Sequence, residues 1–475
     1  MRTKKRLAGV AFLCLSLLLL GSCATTDPDQ PYQEVKANIK DRTGQELSWQ
    51  RSKEARRQMA TRVQEMLQNG LTLNEAVAIG LANNRRIQGL YQELGVAQAG
   101  VVQAQLLDNP HFGFAYLGSP SDLYKIELEA VFNIMSLFLM PLRQALAEAQ
   151  MEQTRCRISK MVLGQIFAVQ RAYITLQAHQ QAFKLLRRVL MSSEAAYEMA
   201  ERMRSAGNIT KLELLSRRSL LEEDRLALSS ASLAVTQSRE RMNSLMGLWG
   251  EDVVWHLPEN LPPLPEEVLD KEHLERRAIE ASLDIALAKS ELKVAARELG
   301  ITNVTSIIPE FNVGAAFERE EDDTWLGGPA FGLQVPIFDP GHAKRSRANA
   351  IVAQRWESIW ALAVEVRAEV RQTIRRLNVM REQAHYYEHS FLPLRKAMTH
   401  QAQRRYNGMF LGVFELLMIK RMEIEASVGY VNTLKNYWLA HSDMTEILSG
   451  RLPIKPADST MIMPASSGNA ADGGH

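Results

Sequence analysis

Cysteine is scarce, with 3 in 475 residues. Cys14 lies inside an apolar N-terminal stretch, Cys23 follows that stretch, and Cys156 stands alone in the remainder. If the first two are removed or modified, no intramolecular disulfide is possible. A lone cysteine on a helix then packs as a small hydrophobe. Excess charge of one sign is also missing: 56 basic and 54 acidic side chains leave +2, which gives no global case for nucleic acid. Aromatics make up 7%, and the 27 glycines and 17 prolines are sparse and clustered. Long stretches rich in Ala, Leu, Gln, Glu and Arg are therefore free to be helical. Beyond the N-terminus no run reaches the roughly 18 apolar residues of a membrane helix, so any insertion into a bilayer has to use strands. There is no Ser/His/Asp or Cys/His nucleophile pattern, no phosphate loop and no hydrolytic pair of carboxylates, so neither an enzyme nor a cofactor is indicated. His385 and His389 have the i, i+4 spacing that can chelate a metal. No nearby Cys or third His completes a site, and they read as helix-surface histidines.

What is present begins with a targeting segment, 1–22. Arg2, Lys4, Lys5 and Arg6 form a basic region, Leu7 to Leu20 an apolar one, and Leu20-Gly21-Ser22-Cys23 resembles a bacterial lipobox. Cleavage before Cys23 and lipidation of that residue are expected. Ala24, where an Asp would retain the protein at the inner membrane, favours the outer membrane by resemblance to Gram-negative sorting rules.

The rest is a duplication with a period of roughly 200 residues, longer than solenoid repeats. Residues 23–70 read as a polar linker, Thr25 to Gln50, followed by a short charged helix. The first copy, 71–256, opens with a capping box at Thr72 and Glu75 and continues as one helix to about Leu107. A hairpin over 111–132 follows. Phe112, Phe114 and Tyr116 alternate with small residues, and Ile126, Leu128, Ala130 and Phe132 alternate with Lys125, Glu127 and Glu129. That is the period of a strand with one wet and one apolar face. A long helix resumes near Pro141, where proline suits the first turn, and runs to about Arg204. Val162, Ile166, Val169, Tyr173, Leu176, Phe183 and Leu190 form a coiled-coil stripe along it. Ser205 to Asn208 breaks it, and a further helix runs to Met246. A proline-rich connector, 257–270, joins the second copy, 271–450: a helix from His273, a hairpin over 310–336, a long helix interrupted at Pro393, a break at Asn407-Gly408, and a last helix. Phe311, Val313, Ala315 and Phe317, then Phe331, Leu333 and Val335, repeat the strand pattern, with Glu318 to Gly328 read as the loop between them. Residues 451–475 form a polar tail.

The fold class is thus mainly α with a small β part: long coiled-coil helices and four strands per chain. Each strand is about 7 to 10 residues, close to the ~9–11 that cross a bilayer when tilted. Four strands cannot close a barrel, since the smallest have about eight. If they enter lipid, several chains must share one barrel. The alternative on pattern alone is a soluble sheet capping a helical bundle.

The duplicated unit, Leu71-Thr72-Leu73-Asn74-Glu75-Ala76 with Ala82-Asn83-Asn84, the run Val335 to Gly341, and the turns near Gly207 and Gly408 resemble the TolC-like outer membrane efflux factor family over about Leu71 to Gly450. The resemblance implies a homotrimer whose twelve strands form one barrel and whose helices form a tunnel across the periplasm. Its implied partners are a periplasmic adaptor, an inner-membrane pump and outer-membrane lipid, and its lipoprotein members match Cys23. The runner-up is a periplasmic coiled-coil tether or adaptor lipoprotein with no pore. Cargo is not legible, although Leu107 to Phe112 loosely resembles the heavy-metal branch of the family.

By the same resemblance the interhelical turns form the tunnel entrance. Gly207 is followed six residues later by Glu213. In the second copy Arg405-Tyr406 begins the corresponding turn, Met409 beside Gly408 stands where a turn glycine is expected, and Glu415 takes the acidic position. Ser216 and Met418 replace a second acidic ring. In a trimer, Glu213 and Glu415 would gather carboxylates that attract cations and repel one another. Lys211, Arg405 and Lys420 are candidate partners that would hold them closed.

Overall fold

The computed structural model describes residues 27–68, 70–118, 124–266, 273–319 and 324–453. The expected signal segment, Cys23, Asn69 in the break before the first copy, most of both hairpin tips and nearly all of the tail lie outside them.

Residues expected to be a linker are instead helix α1, Asp29–Thr43. Pro28 and Pro31 stand near the start, where proline is compatible with a helix, and Tyr32, Val35 and Ile39 bury one face. Tyr32, Trp49 and Tyr91 then cluster with ring centroids 5.1 to 6.0 Å apart. The extended segment after α1 is held by side-chain amides. Gln88 donates to the Ser48 carbonyl and accepts from the Gln50 amide, each at 2.9 Å. Helix α2, Lys53–Gln68, follows as expected for the short charged helix.

The two copies are visible in their helix breaks. The first expected helix is divided into α3, Leu73–Asn83, and α4, Arg85–Ala104. Thr72 and Glu75 form the capping box at its start. The strands and helices that follow are β1, His111–Gly118, β2, Tyr124–Asn133, α5, Ile134–Ser205, and α6, Lys211–Met246. The corresponding helix of the second copy divides into α7, Leu274–Ala281, and α8, Leu283–Thr305. Then come β3, Phe311–Arg319, β4, Trp325–Leu333, α9, His342–Tyr386, α10, Leu392–Asn407, and α11, Val413–Leu448.

At each break one residue, Asn84 or Ser282, is extended and caps the next helix with its side chain. The cause is distant in sequence. The last helix of each copy ends in a glycine with positive φ, Gly247 or Gly450, packed on the break. A Cβ would fall 3.1 Å from the Asn83 carbonyl oxygen in the first case and 2.2 Å from that of Ala281 in the second. Asn83 Nδ2 donates to the Gly247 carbonyl at 2.9 Å, and Leu283 N to that of Gly450 at 2.7 Å.

Pro141 lies inside α5, not at its start, because β2 passes directly into the helix at Ile134. Arg143 donates to the Ser136 carbonyl at 2.8 Å, in the turn where proline withholds an N–H. Pro393 is absorbed as expected of a local break: a π turn over Tyr387–Phe391 separates α9 from α10. With 72 residues, α5 spans ~110 Å at 1.5 Å per residue. Its predicted stripe is inward, with Val162, Ile166, Val169 and Leu176 fully buried.

The strands form one antiparallel sheet in the order β1-β2-β3-β4. Its register puts Phe114 beside Leu128 and Phe317, and Phe132 beside Val313 and Phe331, on one face. Phe112, Phe114 and Phe331 remain 73%, 71% and 70% exposed. The other face pairs Glu127 with Glu318, and Lys125 Nζ bridges both carboxylates at 2.8 Å. The second loop is shorter than expected, since Glu318, Arg319 and Trp325 to Gly328 are strand. Gly327 admits an aromatic ring instead of turning the chain: a Cβ on it would lie 2.6 Å from Phe317 Cδ1. No helix among the described residues is long and apolar enough to cross a membrane.

The main core joins α1 to α5, the end of α6 and Trp255. The connector packs rather than dangles. Gln177 donates to the Pro258 and Asn260 carbonyls, and Trp438 to that of Pro262. Trp255 is 1% exposed, donates to Asn243 Oδ1 at 2.9 Å and lies under Arg239. Trp255→Ala is expected to cost about 3–5 kcal/mol, read as a lowered denaturant midpoint. A change under ~1 kcal/mol would contradict this placement.

Candidate functional site

The sequence directs attention to the two turns at the end of the molecule formed by α5–α6 and α10–α11. In the first, Gly207 has φ +79°. Asn208 N donates to the Met203 carbonyl at 2.8 Å and Gly207 N to that of Arg204 at 3.0 Å. In the second, Phe410 N donates to the Arg405 carbonyl at 2.8 Å and Met409 N to that of Tyr406 at 2.9 Å. The hydrogen bonds match one for one, so the second turn keeps the first one's geometry. Met409 takes the left-handed conformation, φ +61°, while Gly408 beside it does not. A left-handed non-glycine costs about 1–2 kcal/mol. The thioether meanwhile projects almost wholly into solvent, at 94% exposure.

The turns lie together. Arg217, one turn into α6, stacks on Phe414 of α11 with the guanidinium 4.6 Å from the ring centre. Further along, Arg421 of α11 grips Asp224 of α6 with both terminal nitrogens at 2.9 Å, and Ser193 of α5 donates to the same carboxylate. Asp224 is 5% exposed, so this clamp works in a low-dielectric setting where removing one charge strands the other. Sequence reasoning missed it. Asp224 and Arg421 are 197 residues apart, and the only sign was an aspartate three residues after the buried Leu221 on the inner face of α6.

The two candidate carboxylates differ in their local roles. Glu213 completes a capping box, accepting from Thr210 N at 2.7 Å and Thr210 Oγ1 at 2.9 Å. These hydrogen bonds, backbone first, and the nearby Arg217 charge hold its carboxyl below the ordinary glutamate range. Glu415 occupies the matching place on α11, but Gly412 stands where Thr210 stands and offers no capping hydroxyl. Glu415 has no hydrogen bond or ion pair among the described residues. Of the expected cationic partners, Lys420 is engaged by Glu423 at 3.0 Å, while Lys211 and Arg405 make no ion pair among the described residues. His385 and His389 stack with ring centroids 4.0 Å apart, and His389 Nδ1 contacts the His385 carbonyl. Among the described residues no three His, Cys, Asp or Glu side chains gather to hold a metal.

Residues 77–248 match a family described as outer membrane efflux protein. Among curated relatives, outer membrane protein OprJ of Pseudomonas aeruginosa is 24% identical over 249 residues, 49% of this chain and 48% of OprJ. A probable efflux pump outer membrane protein, TtgC of Pseudomonas putida, is 28% identical over 238 residues, 46% of this chain and 45% of TtgC. The chain thus spans about half the length of the curated relatives it matches. Of solved structures, CusC superposes with a TM-score of 0.65 at 14% identity, covering 80% of this chain and 92% of that one. At that identity the likeness shows a shared fold and nothing further.

Thr210→Ala is expected to cost about 1 kcal/mol through the lost cap. The lowered Glu213 pKa contributes stability above its unfolded-state value, and that contribution fades as pH falls through the folded value. The difference between variant and wild type should therefore shrink in acid, as followed by denaturant unfolding; a gap that widens in acid contradicts the carboxylate's role. Met409→Gly should raise stability by about 1 kcal/mol, and a destabilised variant would contradict the strain assigned to this turn.

Proposed function

We propose that this chain is the outer-membrane channel component of a tripartite efflux system, a passive conduit for small molecules or ions from periplasm to exterior. The observation that carries the reading is the sheet. It has four strands of 8 to 10 residues, an exposed aromatic face, a charged opposite face, and two outer strands with no partner on one side among the described residues. Backbone groups on such edges cannot be left bare in lipid, and barrels of this kind have eight strands or more. Three copies give twelve strands and close the sheet. The aromatic face then meets lipid, and the Lys125–Glu127–Glu318 face lines water. The helices carry the tube into the periplasm, where the paired turns form its far end. The outer-membrane relatives and the shared fold support the same arrangement.

The chain needs no chemistry of its own in this role. Energy comes from an inner-membrane pump reached through a periplasmic adaptor, and Cys23 anchors each chain by lipid. Glu213 and Glu415 of three chains place six carboxylates at the entrance, which favours cations by long-range attraction.

In planar bilayers the protein should form cation-preferring pores. Glu213→Ala combined with Glu415→Ala should raise conductance and reduce cation preference. Unchanged conductance and selectivity would remove the entrance role of these residues, whereas failure to conduct at all would overturn the channel itself.

A further inference from the structure

A cleft of about 490 Å³ lies between α5, α6 and the residues that follow α11. Its floor is small: Gly164, Ala168 and Ala172 of α5. Its polar lining comes from Thr175, Gln237 and Ser238, and three arginines face it, Arg171, Arg241 and Arg451. We propose that this cleft binds a small oxyanion of the phosphate or dicarboxylate class, a site apart from the turn residues Glu213 and Glu415.

The charge balance supports it. Behind the cleft Glu446 is fully buried and ion-pairs with Arg171 and Arg451 through its two oxygens. Asp443 is divided between Arg171 and Arg376. Among the described residues these four guanidiniums, counting Arg241, ion-pair with only two carboxylates, Asp443 and Glu446. Two positive charges are left over. Arg241 makes no ion pair or hydrogen bond among the described residues. Arg171 bonds its carboxylates through Nη1 alone, leaving Nε and Nη2 unspent.

Arg451 is the strongest indication. Its side chain is 8% exposed, and its Nε is buried with no hydrogen-bond partner. An orphaned charged donor in such a place is costly, and an anion seated against this guanidinium would offset that cost. Gly164 makes the arrangement possible: a Cβ there would fall 2.8 Å from Arg451 Cζ and 2.9 Å from Nε. Glycine therefore lets the guanidinium lie flat on α5. Planar forks with spare donors are suited to a two-oxygen acceptor.

The test is calorimetric titration of the full-length protein in detergent with inorganic phosphate at constant ionic strength, with succinate and a short-chain phosphatidic acid as parallel arms. Saturable binding of phosphate or succinate near one per chain is expected. Arg241→Gln, an exposed change that leaves the buried pairs intact, should weaken it at least tenfold with an unaltered melting temperature in the absence of ligand. Gly164→Ala should weaken it as well by displacing Arg451. Absence of saturable binding, binding of the lipid alone, or an Arg241→Gln variant that binds like wild type would each overturn the proposal.

Discussion

The structure depends on what happens at the two outer strands of the sheet. Among the described residues, hydrogen bonding inside the sheet is satisfied by β2 and β3, while β1 and β4 each present one row of amides and carbonyls to the outside. In water those groups would be solvated. Next to a face carrying Phe112, Phe114, Phe317 and Phe331, the proposed surroundings are lipid, and in lipid the edges must be paired. That requirement extends from sheet to helices. Each hairpin opens directly or through a short connection into a long helix, so copies that share a barrel must also align their helices.

The helical part is held by different forces at different levels. Near the breaks at Asn84 and Ser282, apolar burial and helix-capping geometry dominate, and the core is built around Trp255 and the Tyr32–Trp49–Tyr91 cluster. Toward the turns the apolar core thins and polar fasteners take over: the Asp224–Arg421 pair and the Arg217–Phe414 stack. A region fastened by a few polar contacts can change state at lower cost than a packed core, which is what the proposed entrance role requires.

Much of this was legible in residue order. Period 2 placed the strands, and the register confirmed the face of every aromatic used to predict them. The stripe from Val162 to Leu176 marked the inward side of α5, and the shared spacing of Gly207 to Glu213 and Met409 to Glu415 located matching turns. Local pattern failed where the deciding contact was remote. Asn84 and Ser282 break helices because Gly247 and Gly450 press against them from the end of each copy. Asp29–Thr43 is a helix because Tyr91 and Trp49 offer its apolar face a place to pack, and Pro141 is interior because β2 runs on without a loop. The Asp224–Arg421 clamp could not be paired from spacing, and its only trace was a charge on an inward phase.

The most direct test of the account is the number of chains in the membrane-embedded particle. Native mass spectrometry of the protein extracted from outer membranes should give three chains per particle, with conductance restored when that particle is placed in a bilayer. A monomeric particle, or a trimer that conducts nothing, would contradict a barrel shared between copies.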